Sequence, residues 1–281
     1  MAVTAAMVKE LREMTGAGMM DCKKALSNTD GDMDKAVEYL RENGMAKAAK
    51  KAGRIAAEGI VKVVTEGNKA AIVEVNSETD FVAKNADFNA YVEEVAQQAL
   101  NTKATDIDAF LAESWTKDTS KTVADVLAGQ VAIIGENLKI RRFAQVEESN
   151  GFIASYIHMG GKIGVLVDVE TDVVNSAIEE MAKNVAMQAA ALKPMYTNRS
   201  EVDPEYIAKE TEIITATAKN EKPDANDKII EGMVKGRLNK ELKEICLLDQ
   251  TYVKAEDGKQ SVSAYVAEVA KANNANITIK G

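Results

Sequence analysis

The chain has 281 residues, 46% hydrophobic and 28% charged, with 5% aromatics and a formal net charge of -9. That is the profile of a soluble protein with two or three packed units, whose cores are built mainly from Ala, Val, Ile, Leu and Met. The acidic balance argues against duplex nucleic acid as the main partner, since phosphate binding needs a basic face. Two distant thiols, Cys22 and Cys246, rule out a cysteine zinc cage and suit a reduced compartment.

No apolar run approaches the ~18 residues of a membrane span, and no signal-peptide pattern opens the chain. A cytoplasmic protein that does not engage a membrane is expected. His158 is the single histidine, so a multi-histidine metal site is impossible. Neither a G-x-x-x-x-G-K-[ST] phosphate loop nor a G-x-S-x-G nucleophile turn is present. The expectation is a non-enzyme with no cofactor and no metal of its own.

Residues 1–54 read as a small helical docking module. Thr4 caps a first helix carrying Val8 and Leu11, Gly16-Ala17-Gly18 breaks it, and Met19 to Leu26 forms a second. Asp32 caps a third, with Met33, Ala36, Val37 and Leu40 on one face and Gly44 near its end. The stretch from Met45 to Arg54 carries four positive charges and no acid. It reads as a solvated linker or helix extension rather than a nucleic-acid patch.

From residue 55 the pattern turns to strands. Gly59 to Thr65 and Lys69 to Asn76 form a hairpin through Glu66-Gly67-Asn68. A helix from about Asn85 to Leu100 buries Phe88, Val92, Val95 and Ala99. Residues 105–135 read as helical, with a stripe of Val123, Val126, Leu127, Val131 and Ile134 ending at Gly135. Three strands follow, Leu138 to Glu147, Gly151 to Met159 and Lys162 to Thr171, and then a helix from about Asn175 to Leu192. Ile72-Val73-Glu74-Val75 with Glu78-Thr79-Asp80-Phe81-Val82 parallels Leu166-Val167-Asp168-Val169 with Glu170-Thr171-Asp172-Val173-Val174. Two similar sheet-plus-helix subdomains are therefore expected. Asp203-Pro204 opens a helical hairpin, broken at Lys222-Pro223-Asp224 and running to about Leu242, whose two long helices suit a dimer contact. A helix from Ser261 to Ala272 and a strand from Asn276 to Lys280 complete the pattern.

The expected fold class is α+β: an N-terminal three-helix module, a core of two similar subdomains and a projecting antiparallel helical hairpin. The divisions are 1–54 for the module with its basic stretch, 55–137 for the first subdomain and 138–200 for the first part of the second. The hairpin takes 201–245, and 246–281 ends the second subdomain.

Two segments, Thr15 to Leu26 (TGAGMMDCKKAL) and Asn76 to Lys84 (NSETDFVAK), resemble the signatures of the elongation factor Ts family. Supporting matches are Ala48 to Gly53, Ile134-Gly135-Glu136-Asn137, Ile140-Arg141-Arg142, and Tyr156-x-His158 before Ile163-Gly164-Val165-Leu166. The resemblance covers essentially the whole chain and implies that the N-terminal module is UBA-like. It implies a guanine-nucleotide exchange factor that binds GDP-loaded elongation factor Tu and promotes GDP release during translation elongation. A non-catalytic adaptor or assembly subunit is the alternative. Thr79, Asp80, Phe81 and Val82 are implied to enter the partner and disturb its Mg²⁺ site, with Met19, Met20, Ile134, Gly135 and His158 as further contacts. A homodimer is a secondary expectation; direct nucleic-acid binding is not expected. Family members usually continue into another strand and helix, so a truncated or naturally short form is expected here.

Taken without the resemblance, the same residues have plainer readings. Phe81 suits a strand-end core position, His158 a structural role, and Met19 with Met20 one core and one contact position. A Cys22–His158 nucleophile pair lacks an orienting third group.

Overall fold

The computed structural model describes residues 3–281. The chain divides into two units: Met1–Glu66, Ala70–Gln145 and Ile157–Ile163 form the first, and Gly67–Lys69, Val146–Tyr156 and Gly164–Gly281 the second.

In the first unit, α1 (Ala5–Thr15) starts where the Thr4 hydroxyl accepts from the Met7 N–H and stops at Gly16. Helices α2 (Met19–Asn28) and α3 (Met33–Lys51) follow, and the Asp32 carboxylate accepts from Lys35 at the head of α3. Val8, Leu11, Cys22, Ala25, Leu26 and Ala36 make the small core of this module. Gly44 does not end α3. A Cβ there would make ordinary van der Waals contact with the Ala132 Cβ at 3.6 Å. The basic stretch is mainly a continuation of the helix, as its run of Ala and Lys favours.

Strands β1 (Glu58–Glu66) and β2 (Lys69–Ser77) form the expected hairpin. A single turn, α4 (Asp80–Ala83), leads to α5 (Ala86–Asn101), whose buried face carries Phe88, Val92, Val95 and Ala99 together with Tyr91 and Ala96. The region expected to be helical from 105 to 135 is interrupted. Helix α6 (Ile107–Ala112) gives way to a ribbon of β3 (Ser114–Trp115) and β4 (Asp118–Thr122) before α7 (Val123–Ile134). Burial of Trp115, 4% exposed, holds the ribbon down. The helix restarts because Thr122 and Asp125 form a reciprocal capping box.

Strand β5 (Lys139–Glu147) completes the first sheet, in the order β1-β2-β5, rather than opening the second subdomain as the sequence suggests. Leu138 and Ile140 join the core containing Val73 and Phe88, and that burial fixes the strand's place. The repeated motif is thus a hairpin, a helix and a returning third strand.

The second unit repeats it with β6 (Gly151–His158), β7 (Ile163–Thr171) and α8 (Ser176–Leu192). Helices α9 (Pro204–Glu221) and α10 (Asp227–Ile245) form the hairpin, with Pro204 at the first position after the Asp203 cap. Ile214, Ala218 and Ile230 are buried, whereas Ile213 and Ile229 face solvent. After α11 (Val262–Ala272), the strand β8 (Ile277–Ile279) returns antiparallel to β7, with Val169 opposite Ile279. Cys22 and Cys246 are both buried, and burial pushes both thiols above their ordinary value, away from nucleophilic use.

Candidate functional site

Where β2 ends, the backbone at Thr79 is extended and its hydroxyl accepts from the Val82 N–H at 3.3 Å. That cap turns Asp80–Ala83 into one helical turn just past the strand end. Asp80 occupies the first turn, where the exposed N–H groups favour an acid. Lys84 approaches its carboxylate at 2.7 Å and holds Asp80 below the ordinary carboxylate range. Val82 packs against the first core and Ala83 is buried, so one side of the turn is anchored. Phe81 lies on the other side, 83% exposed.

The second copy of the motif reverses this arrangement. Val173, aligned with Phe81, packs into the second core, and Val174, aligned with Val82, is 53% exposed. There the Thr171 hydroxyl bonds back to Val173 instead of capping a helical turn. The same hairpin can therefore end with its apolar side chain tucked in. An exposed phenyl ring at 81 is a property of the first copy, not a requirement of the fold.

A reciprocal set of hydrogen bonds fixes the turn to the end of α7. Gly135 adopts a left-handed conformation, φ 88, which stops the helix and directs Glu136 toward β2. One Glu136 carboxylate oxygen accepts from the Glu78 and Thr79 N–H groups, both at 3.0 Å; the other accepts from the Thr79 hydroxyl at 2.6 Å. In return the Glu78 carboxylate accepts from the Asn137 N–H at 2.6 Å. The Asn137 side chain donates to the Arg54 carbonyl at 2.8 Å, Arg54 pairs with Glu78 at 3.5 Å, and Lys51 donates to the Gly135 carbonyl. Lys51 and Arg54, at the end of the basic stretch, are thus engaged within the protein.

The candidate residues Thr79 to Val82, Ile134 and Gly135 come together through this network. His158 closes β6, and its carbonyl accepts from Gly161 at 3.2 Å and Lys162 at 3.1 Å. The Gly161 carbonyl accepts from Val61 at 2.7 Å, seating this turn on β1, and the Lys162 ammonium pairs with Glu58. Met19 and Met20, 58% and 74% exposed, stand apart on α2, which is tied to α3 by the Asp21–Lys47 pair at 2.8 Å. The sequence reading gives no role to Glu78, to Glu136 or to Met159, 73% exposed beside His158. Only the matching stretch Ile134 to Asn137 hints at Glu136.

An anchored turn that keeps an apolar ring in solvent, on an α+β scaffold with no metal-holding cluster among the described residues, fits the class of binding factors. A family model described as Elongation factor TS matches residues 78–280, and one described as UBA/TS-N domain matches residues 3–40. Elongation factor Ts of Clostridioides difficile (strain 630) is 56% identical over 279 residues, which is 99% of this chain and 90% of that protein. Elongation factor Ts of Clostridium botulinum (strain Eklund 17B / Type B) is 51% identical over 272 residues, 96% of this chain and 88% of that protein. The chain belongs to the elongation factor Ts family. Membership carries the family's role, guanine-nucleotide exchange on elongation factor Tu during translation elongation.

Proposed function

We propose that this chain drives GDP release by inserting Phe81, carried on the clamped Thr79–Val82 turn, into elongation factor Tu and weakening its hold on Mg²⁺ and phosphate. The observation behind this reading is a phenyl ring 83% exposed on a turn whose neighbours are all fastened. Burying such a ring contributes roughly 1.5–3 kcal/mol. At about 1.4 kcal/mol per tenfold, Phe81 can weaken nucleotide binding by roughly tenfold to a hundredfold. Linkage requires that GDP weaken binding of this chain by the same factor. Ile134, Gly135 and His158, with Met19 and Met20 on α2, supply further contacts in this reading.

The chain acts without chemistry or a cofactor of its own, in the cytoplasm, and does not bind nucleic acid directly. The exposed Ile213 and Ile229 on the hairpin favour pairing with a second copy. The test is release of a fluorescent GDP analogue from excess elongation factor Tu by substoichiometric chain. The native chain should turn over many partners and Phe81→Ala far fewer, with partner capture retained. Capture without turnover by the native chain would instead make it an adaptor.

A further inference from the structure

We infer that Glu136 is the positioning residue of the exchange turn. It acts by holding the Glu78–Thr79 backbone so that Phe81 is presented in one orientation; the inference rests on the function proposed above for Phe81. The geometry is unusual for a surface acid. A single carboxylate accepts two consecutive backbone N–H groups and the hydroxyl that itself caps the helical turn. Carboxylates receiving such bonds from neutral donors form the stronger, charge-assisted class.

Each bond falls upstream of Phe81, at the residues that set the direction of α4. Nothing comparable holds the ring itself, which stands in solvent. The contact is also long-range, joining positions 57 and 58 residues apart, so local chain preference does not supply it. Glu78 answers by accepting from Asn137, which locks the α7 end in the same act. Ile134 and Gly135, immediately before Glu136, are thereby registered against Phe81. Orientation matters for a wedge because misplacement of about 1 Å can cost on the order of a hundredfold in rate.

The role assigned to Glu136 differs from a general contribution to folding. A merely structural residue would change stability. A positioning residue changes the release rate at saturating factor and does so only through Phe81.

The experiment measures GDP release from elongation factor Tu at saturating chain for native, Phe81→Ala, Glu136→Ala, Glu136→Asp, Glu136→Gln and the Phe81→Ala/Glu136→Ala double variant. Trp115 fluorescence checks that each is folded. Glu136→Ala should slow release toward the Phe81→Ala rate, roughly tenfold or more. Glu136→Asp, which keeps the charge but is one methylene short of its three donors, should slow it similarly and serves if the alanine variant unfolds. Glu136→Gln retains an oxygen for the two N–H groups and an amide for the hydroxyl, and should restore most of the rate. The double variant should be no slower than Phe81→Ala. Native rates for folded Glu136→Ala and Glu136→Asp, or effects that multiply in the double variant, overturn the inference while leaving the role of Phe81 standing. A native rate for Phe81→Ala overturns the wedge itself, and the positioning role with it.

Discussion

Alanine at Gly135 should lower the stability of the first unit by a modest amount set by the backbone alone. Gly135 has φ 88, and a Cβ there finds nothing nearer than the Lys51 ammonium at 3.9 Å. There is space for the methyl group but a steric cost in the chain, about 1–2 kcal/mol for a residue with a Cβ in the left-handed region. At roughly 2–4 °C per kcal/mol, the midpoint should fall by about 2–8 °C. Two other glycines in the same unit bracket this value. Gly59 has φ 127, and a Cβ would lie 2.2 Å from the Val75 carbonyl and 2.6 Å from the Asn76 Cα, both backbone. Gly59→Ala should therefore exceed the ~4 kcal/mol that marks an exceptional substitution. Gly129, inside α7, has nothing within 4 Å of its Cβ position, so Gly129→Ala should stabilise by up to about 1 kcal/mol through helix propensity. Trp115 is the single tryptophan, 4% exposed in the first core, so its fluorescence on heating reports this unit. The order Gly129 above native, Gly135 below it and Gly59 far below is the expected result. A Gly135→Ala midpoint at or above native would refute the left-handed stop and, with it, the route by which Glu136 reaches the turn.

Phe88 and Phe81 lie seven positions apart and should behave oppositely: Phe88→Ala, from a fully buried site, should cost about 3–5 kcal/mol. Phe81→Ala should stay within about 0.5 kcal/mol of native by the same Trp115 melt. Met20→Glu should raise the concentration of chain needed for half-maximal GDP release roughly tenfold, leaving the rate at saturation unchanged. In the second unit, the Asp168 carboxyl is pushed up by burial and by Glu148 beside it; Glu148 is held down by the Asn150 N–H and Lys280. One Asp168 oxygen is buried without a hydrogen-bond donor, as expected for two carboxylates that need a proton between them. Because the folded state holds the Asp168 proton more tightly than the unfolded chain does, its contribution is full below the unfolded value. It is lost as pH rises through the folded one. Asp168→Asn, which carries a permanent donor, should therefore melt higher than native at pH 7.5 by circular dichroism, with the gap closing near pH 4.

What could be read from the sequence follows from which features are local. The face of Phe88, Val92, Val95 and Ala99 recurs at helical spacing, and Glu66-Gly67-Asn68 punctuates two alternating runs, so α5 and the first hairpin are legible. Two-residue β3 has no period to detect, and the flanking helical stripes absorb it. Placing β5 requires knowing which core Leu138 and Ile140 enter, and strand pairing across that distance is decided by packing rather than by pattern. For Phe81 the residues alone favour a core role, and only the resemblance points outward, where the ring in fact stands. Its neighbour Val82 belongs to the same motif, yet packs inward as the turn's anchor. Glu78 and Glu136 are hidden for a different reason. They are two of 44 acidic residues, and nothing local distinguishes a carboxylate that will meet backbone donors 58 positions away from one that will meet water.

The most direct measurement places a single 4-fluorophenylalanine at position 81 and follows its ¹⁹F resonance as GDP-loaded elongation factor Tu is added. In the free chain the fluorine should show the H₂O-to-D₂O shift of a solvated ring. In the complex that sensitivity should disappear, as the ring leaves water for the partner's nucleotide-binding domain. A resonance that stays solvent-sensitive at saturating partner would contradict the account.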